Sequence, residues 1–353
     1  MALNTVSTNR LSTNVKPSNL SSGFGPLGSR NMVINGAMQV NQRGNGSLTI
    51  NSSTGQFPCD RWVSRGEGGG SKNFTIQQVS IASSGQGVRN AIKVTSSQAA
   101  SVGSNDIFNV RQMIEGYNIQ RMNFGESGCK SMTLSFTVRS SVAGTHSGAI
   151  QNSAQNRSYP FTYTLSANTW TDISVTIPPI TDGSSWNETD GVGVRVVFDM
   201  GTGNATRGTA GQWNSAQNEG ATGSVRILET NGATWEVTKV QLEVGTEGTD
   251  FEHRSFAEEL ALCERYFQIV YARIQNDYQS GQTAAFGAPV GFHCQTRGTP
   301  SITMVNGTSA GVTSIQVANI HSFGCFFRFT GSATSGGVAS QVADADLHIS
   351  AEL

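Results

Sequence analysis

Apolar residues in this chain recur mainly at every second position, in short runs closed by glycine, asparagine, serine or proline. That pattern belongs to β-strands with one face on a core and one face in water. The clearest run is Met132-Thr133-Leu134-Ser135-Phe136-Thr137-Val138, with its apolar residues on one side and its polar residues on the other. Further runs cover 74–79, 91–94, 107–110, 170–177, 192–198, 225–228 and 235–244. The stretch 31–44 reads as a strand with Gly36 near its middle, a bulge or close-approach signal, and 57–62 reads as a second short element. Roughly ten short strands separated by turn signals predict a jelly-roll β-sandwich.

One stretch breaks the period of two. Ser255 followed by Glu258 fits a capping box, and Phe256, Leu260, Cys263, Phe267 and Val270 fall on one helical face. Glu258 and Glu259 in the first turn and Arg265 near the end suit the helix dipole. Strands then return at 269–274, 285–292, 296–305, 323–329 and 345–350. Phe323, Cys325, Phe327 and Phe329 nearly alternate, so an aromatic face needs cover, in part from another subunit. The expected class is therefore mainly β. It comprises an N-terminal docking arm (1–30), a jelly-roll sandwich (31–252), a short connecting α-helix (253–268) and a small C-terminal β domain (269–353). The arm is polar and without period, and Leu3, Val6, Leu11 and Val15 are its sparse anchors for docking on a neighbour.

Composition narrows the function classes. Only 13% of residues are charged, and 23 Lys+Arg against 24 Asp+Glu leave a net charge of -1 with no basic stripe, so nucleic acid is excluded as a partner. No apolar span is long enough to cross a bilayer, which argues against membrane insertion. Cys59, Cys129, Cys263, Cys294 and Cys325 are widely spaced and contain no C-x-x-C, so neither a zinc knuckle nor a disulfide framework is signalled; a reducing cytoplasm suits assembly.

Candidate chemistry is sparse. The histidines sit at no metal or triad spacing, and no local pair of carboxylates suggests a glycosidase, so a non-enzyme without a cofactor is expected. Asp182, Glu188 and Asp190 share a turn-rich loop and form a weak Ca²⁺ candidate, although their spacing misses the EF-hand pattern. Trp62, Trp170 and Trp235 sit at strand positions and read as core. Trp186 with Asn187, and Trp213 with Asn214, stand in polar loops. An indole so placed can stack on a sugar ring while the amide binds its hydroxyls. Against this stands a loop tryptophan folded back to cap the sandwich, or buried at a subunit contact.

Several stretches carry a resemblance. Asn35-Gly36-Ala37-Met38-Gln39-Val40-Asn41-Gln42-Arg43-Gly44 and Asp60-Arg61-Trp62 open it, and Gly232 to Trp235 and Val240 to Gly245 continue it. It runs on through Phe251 to Phe256 and Glu259 to Gln268, and closes at Ala343 to Leu347. Together these resemble a β-sandwich family common in tail-fibre and virion-surface proteins of bacteriophages, especially marine and cyanobacterial ones. The resemblance implies a virion structural protein with a jelly roll like that of carbohydrate-binding modules. The expected role is part of a tail appendage or adsorption fibre, as a homotrimer among other virion proteins, with host surface glycans as ligands. A head-decoration protein gripping the capsid by its arm is the alternative, and an enzyme acting on polysaccharide the third.

Overall fold

Period-two alternation builds most of the molecule. The computed structural model describes residues 29–51, 54–68, 73–278, 283–310, 312–332 and 339–353. The expected arm therefore lies outside the described residues, apart from Ser29 and Arg30. The early strands are β1 (Leu48–Ile50), β2 (Thr54–Cys59), β3 (Trp62–Glu67), β4 (Phe74–Ser80), β5 (Asn90–Ser96), β6 (Ile107–Glu115) and β7 (Met132–Ser140). They continue as β8 (Gly144–Asn152), β9 (Ser158–Leu165), β10 (Thr171–Ile177), β11 (Val192–Asp199), β12 (Arg207–Gly208), β13 (Gly220–Ala221) and β14 (Thr234–Val244). The helix α1 (Phe256–Glu264) follows, then β15 (Phe267–Tyr278), β16 (Thr283–Gly291), β17 (Ser301–Ala310), β18 (Val312–His321), β19 (Gly324–Ser332) and β20 (Ala339–Ser350).

The first domain is a sandwich of two six-stranded sheets, ordered β1-β4-β5-β14-β7-β10 and β2-β3-β6-β11-β8-β9. Late strands sit inside early ones, β14 between β5 and β7 and β11 between β6 and β8, which is the crossover of a jelly roll. The inward residues of both sheets make one core. Phe136 of the first sheet meets Phe198 of the second edge-on at 5.0 Å, and the Trp235 indole N–H donates to Tyr163 Oη at 3.1 Å.

The structure corrects several sequence expectations. Residues 31–44 form no strand: Asn35 and Met38 take left-handed φ of 58° and 54°. The Asn35 side chain replaces the ladder, donating to Val40 O at 2.8 Å and Asp60 O at 2.9 Å and accepting from Val40 N at 3.0 Å. Gly36 is nonetheless a close-approach glycine, since a Cβ there would lie 2.1 Å from Val240 O. This buried segment plugs one end of the sandwich. The expected strand at 225–228 is instead a 3-10 turn at Ile227–Glu229. Strands β1, β8, β9, β12, β13 and β18 lay outside every expected run.

The helix begins as predicted: Ser255 Oγ accepts from Glu258 N at 3.3 Å and Glu258 Oε2 accepts from Ser255 N at 2.9 Å. Its buried face differs from the expected seam. Phe256 is 57% exposed, whereas Glu259 is buried with Cys263. The reason is polar: the Glu259 carboxylate accepts from Asn35 N at 2.5 Å and from Arg254 Nη1 at 3.3 Å, fastening the helix to the plug.

The C-terminal domain stacks two three-stranded sheets, β15-β20-β17 and β16-β19-β18. Phe327 and Phe329 are buried in its core with Cys325, Leu347 and Ile349, so this face is covered within the chain and supplies no reason for a second subunit. Of the four alternating residues Phe323, at the β18–β19 turn, is the one left exposed, at 68%.

A dense polar joint fixes the two domains. Glu115, at the end of β6, accepts from Arg265 Nε at 3.0 Å, Arg265 Nη2 at 2.7 Å and Tyr266 Oη at 2.6 Å. Arg61 lies 3.5 Å over the Tyr266 ring and pairs with Glu352. Arg43 is held between the rings of Phe57 and Phe267 and pairs with Glu352 at 3.2 Å. Burial of these groups strengthens each contact relative to a surface pair.

Candidate functional site

The polar positions of the alternating strands define the outer face of the first sheet. In register, Asp172 of β10 faces Thr137 of β7, and Ser174 faces Ser135. Thr137 in turn faces Thr238 of β14, and beyond it the ladder slips by a bulge. Lys239, with φ of 49°, sits in that bulge. A bulge re-aims a side chain that regular alternation would send elsewhere.

Residues 245–252 fold back over one end of this face. The Glu243 carboxylate accepts from Thr249 N at 2.8 Å and Thr249 Oγ1 at 2.7 Å, while Gln241 Oε1 accepts from Glu252 N at 2.8 Å. Thr176 Oγ1 donates to Thr246 O at 2.8 Å. Where this cover stops, a groove of about 280 Å³ opens, lined among others by Ser135, Thr137, Asp172, Ser174, Lys239 and Phe251. Thr137 Oγ1 donates to Asp172 Oδ1 at 2.5 Å, and Lys239 Nζ stands 3.7 Å from the same oxygen. The Asp172 side chain is 80% exposed, so its remaining acceptor sites face solvent. Hydroxyls, the carboxylates of Asp172 and Asp250, an ammonium and the Phe251 side chain thus share a small concave surface. Such a set can hydrogen-bond a polyol and pack its apolar face.

The tryptophans proposed for sugar contact are brought together, but inward. Trp186 is buried, stacked on Phe124 at 4.3 Å with Trp213 against it edge-on at 5.8 Å, and its N–H donates to Ser184 Oγ at 3.1 Å. Trp213 also packs on Tyr159 and donates to Pro178 O at 2.9 Å. Asn187 Oδ1 accepts from Thr189 N at 2.9 Å, and Asn214 Nδ2 donates to Thr209 O at 3.1 Å and Gln212 O at 2.9 Å. Rings and amides alike serve as a cap on the sandwich, which corrects the reading of Trp186 as an exposed stacking platform. Each indole N–H finds its acceptor locally, so burying the ring leaves nothing unsatisfied.

The weak Ca²⁺ set is likewise not assembled. Asp182 pairs with Arg157 at 2.6 Å and accepts from Ser184 N at 3.0 Å. Slight burial works to raise its carboxyl, but the Ser184 and Arg157 hydrogen bonds outweigh that and hold it below the usual range. Glu188 and Asp190 are exposed, and among the described residues no group of three His, Cys, Asp or Glu side chains could hold a metal.

The groove was only half legible in advance. Its floor is the polar side of two alternating runs, whereas Lys239 and Phe251 arrive through a bulge and a returning loop that no local pattern announces.

No protein-family model matches the chain, and no curated protein matches it in sequence. Among solved structures it is similar to the enzymatically active domain of tailspike protein 4 of bacteriophage CBA120, at 11% identity and a TM-score of 0.32, over 61% of this chain and 22% of that one. It is also similar to a family 11 carbohydrate-binding module of a cellulosomal cellulase of Clostridium thermocellum, at 13% identity and a TM-score of 0.28, over 57% of this chain and 97% of the module. A third likeness is to the N-terminal cellulose-binding domain of β-1,4-glucanase C of Cellulomonas fimi, at 14% identity and a TM-score of 0.25, over 53% and 90%. The jelly-roll assignment rests on the strand order itself.

Proposed function

We propose that this is a non-enzymatic structural protein on the surface of a bacteriophage particle, part of a tail appendage, whose jelly roll binds glycan in the sheet-face groove. The observation that carries the reading is the open stretch of polar sheet at Asp172, Thr137 and Lys239, beside the ring of Phe251. Its donors and acceptors match sugar hydroxyls, and its size suits a single pyranose ring. A hydrolase would need one carboxyl kept protonated by burial. The two aspartates lining the groove, Asp172 and Asp250, are both exposed. The joint at Glu115 and Glu352 supports the structural half, because it holds two β domains as one stiff part. The reading as a phage surface protein rests on the sequence resemblance of 35–44 and 240–268, and the tail appendage is preferred over the capsid shell as part of the proposal.

The experiment is titration of neutral oligosaccharides into the parent and into an Asp172→Ala/Lys239→Ala double variant. The reading expects a loss of affinity of about tenfold or more in the variant, the scale of one lost charged hydrogen bond. Equal affinity in the two proteins, or no binding by the parent to any neutral glycan, would sink the assignment of the groove.

A further inference from the structure

The outer face of the second sheet holds a different cluster. On β6, Asn109, Arg111, Met113 and Glu115 point away from the core, by the same alternation that sends Phe108, Val110 and Ile114 into it. In register, Arg65 of β3 lies opposite Asn109 and Arg195 of β11 opposite Met113. Both are diagonal neighbours of Arg111, within reach of long side chains. Val63 and Val197 stand directly beside Arg111 on the flanking strands, and both are buried. Three arginines are therefore neighbours across three adjacent strands, with Val63 and Val197 buried beside the middle one.

Their countercharges are incomplete. Glu67 is taken by Arg65, at 2.6 and 2.8 Å. Glu219, fully buried, accepts from Arg65 Nη1 at 3.1 Å and Asn109 Nδ2 at 2.9 Å. Arg195 Nη1 donates to the carbonyls of Asn152 and Ser153 at 2.6 and 2.8 Å. The Arg111 side chain makes no hydrogen bond or close ion pair with any described residue, although it is only partly exposed. Arg111 Nε, Arg195 Nε and Asn109 Oδ1 are all buried without a partner. Glu219 and Glu67 stabilise the Arg111 charge only at longer range, so a half-buried cation with like charges on either side is left without a directly bonded counterion, which is costly to keep. Burial, and then the neighbouring Arg65 charge, pull the Arg111 pKa down against the opposing pull of Glu219 and Glu67; burial, then Arg111, bring Arg195 to about 10 although Glu219 opposes them.

We propose that this face is a binding site for the anionic group of an acidic sugar, a carboxylate or sulfate ester seated against Arg111 and flanked by Arg195. The partly exposed amides of Gln155 and Gln217, which both donate to Glu219, flank the cluster and favour a ligand that also carries hydroxyls, which a bare oxyanion lacks. The site lies on the opposite sheet from the groove and stands without it.

The test uses the full chain and isothermal titration with glucuronic acid, galactose 6-sulfate, inorganic sulfate and glucose, at fixed ionic strength, on the parent and on Arg111→Gln. The expected result is saturable binding of the two acidic sugars, at least tenfold tighter than sulfate or glucose and at least tenfold weaker in the variant. Because the Arg111 side chain makes no hydrogen bond and stands between two like charges, Arg111→Gln should melt at or above the parent temperature, which keeps a binding loss from being confused with misfolding. The proposal is overturned if neither acidic sugar binds, if Arg111→Gln binds them as tightly as the parent, or if that variant melts several degrees lower. Inorganic sulfate binding as tightly as the sugars would mark an adventitious ion only, and would equally overturn it.

Discussion

Replacing Glu115 with alanine should separate the two domains energetically. Its carboxylate is 1% exposed and takes two hydrogen bonds from Arg265 and one from the Tyr266 hydroxyl. A hydrogen bond to a charged group contributes about 1.5–3 kcal/mol net, and breaking a buried ion pair by removing one partner costs about 3–5 kcal/mol. The Arg265 side chain is 35% exposed, so water recovers part of its loss and the lower end applies, about 3 kcal/mol. The Tyr266 hydroxyl, on a buried ring, is left without its acceptor. Assay by urea unfolding exploits the placement of every tryptophan in the jelly roll: Trp62, Trp170, Trp186, Trp213 and Trp235. Fluorescence then reports the first domain alone, while far-ultraviolet circular dichroism reports both. In the parent the two curves should coincide. In Glu115→Ala the dichroism should begin to fall first, as the C-terminal domain unfolds ahead of the sandwich. Glu115→Gln, which keeps the shape and part of the hydrogen bonding, should fall between them. Coincident curves in Glu115→Ala with a loss below about 0.5 kcal/mol would refute the idea that this contact couples the domains.

Other outcomes follow from single contacts. Trp186→Ala should cost about 3 kcal/mol, the low end for emptying a buried aromatic site, and leave glycan affinity per folded molecule unchanged; a selective binding loss would restore the tryptophan to the ligand site. Ser255→Ala should cost about 1 kcal/mol in a denaturant titration, the usual value of an N-cap, and no loss would mean the capping box contributes nothing. Gly148→Ala should destabilise by about 1–3 kcal/mol, since its Cβ would sit 2.2 Å from Val197 O and 2.5 Å from the Phe161 ring. Burial pushes the Asp60 carboxyl above 3.8 despite Gln42 and Arg43, so its contribution to stability is present below that value and lost as pH rises through the raised pKa. The melting temperature of Asp60→Asn relative to the parent should therefore climb as the pH rises above about 4, and a gap independent of pH would contradict the assignment.

How much could be read from residues alone depended on whether one face of an element met water. Met132–Val138 and the 170–177 run alternate cleanly because their outer face is solvated, and the floor of the groove was visible in them. Strand β8 was hidden because Gly148 fills its inward slot with no side chain, the space being taken by the ring of Phe161. Strand β9 alternates through Tyr159, Phe161, Tyr163 and Leu165, yet Pro160 disguised it; as an edge strand it tolerates the missing donor. The start of the helix was legible because a cap is local. Its buried face was not, since Glu259 is held by Asn35, far away in sequence. Trp186 and Trp213 failed for a related reason: polar neighbours along the chain say nothing about where a ring will turn.

The central claim, a surface part of a phage particle, is tested most directly by immunogold electron microscopy of purified particles with an antibody against this chain. The account predicts gold on the tail appendages, removed by competition with the free protein. Gold on the capsid shell, or particles bare of label while the protein stays in the soluble fraction, would contradict it.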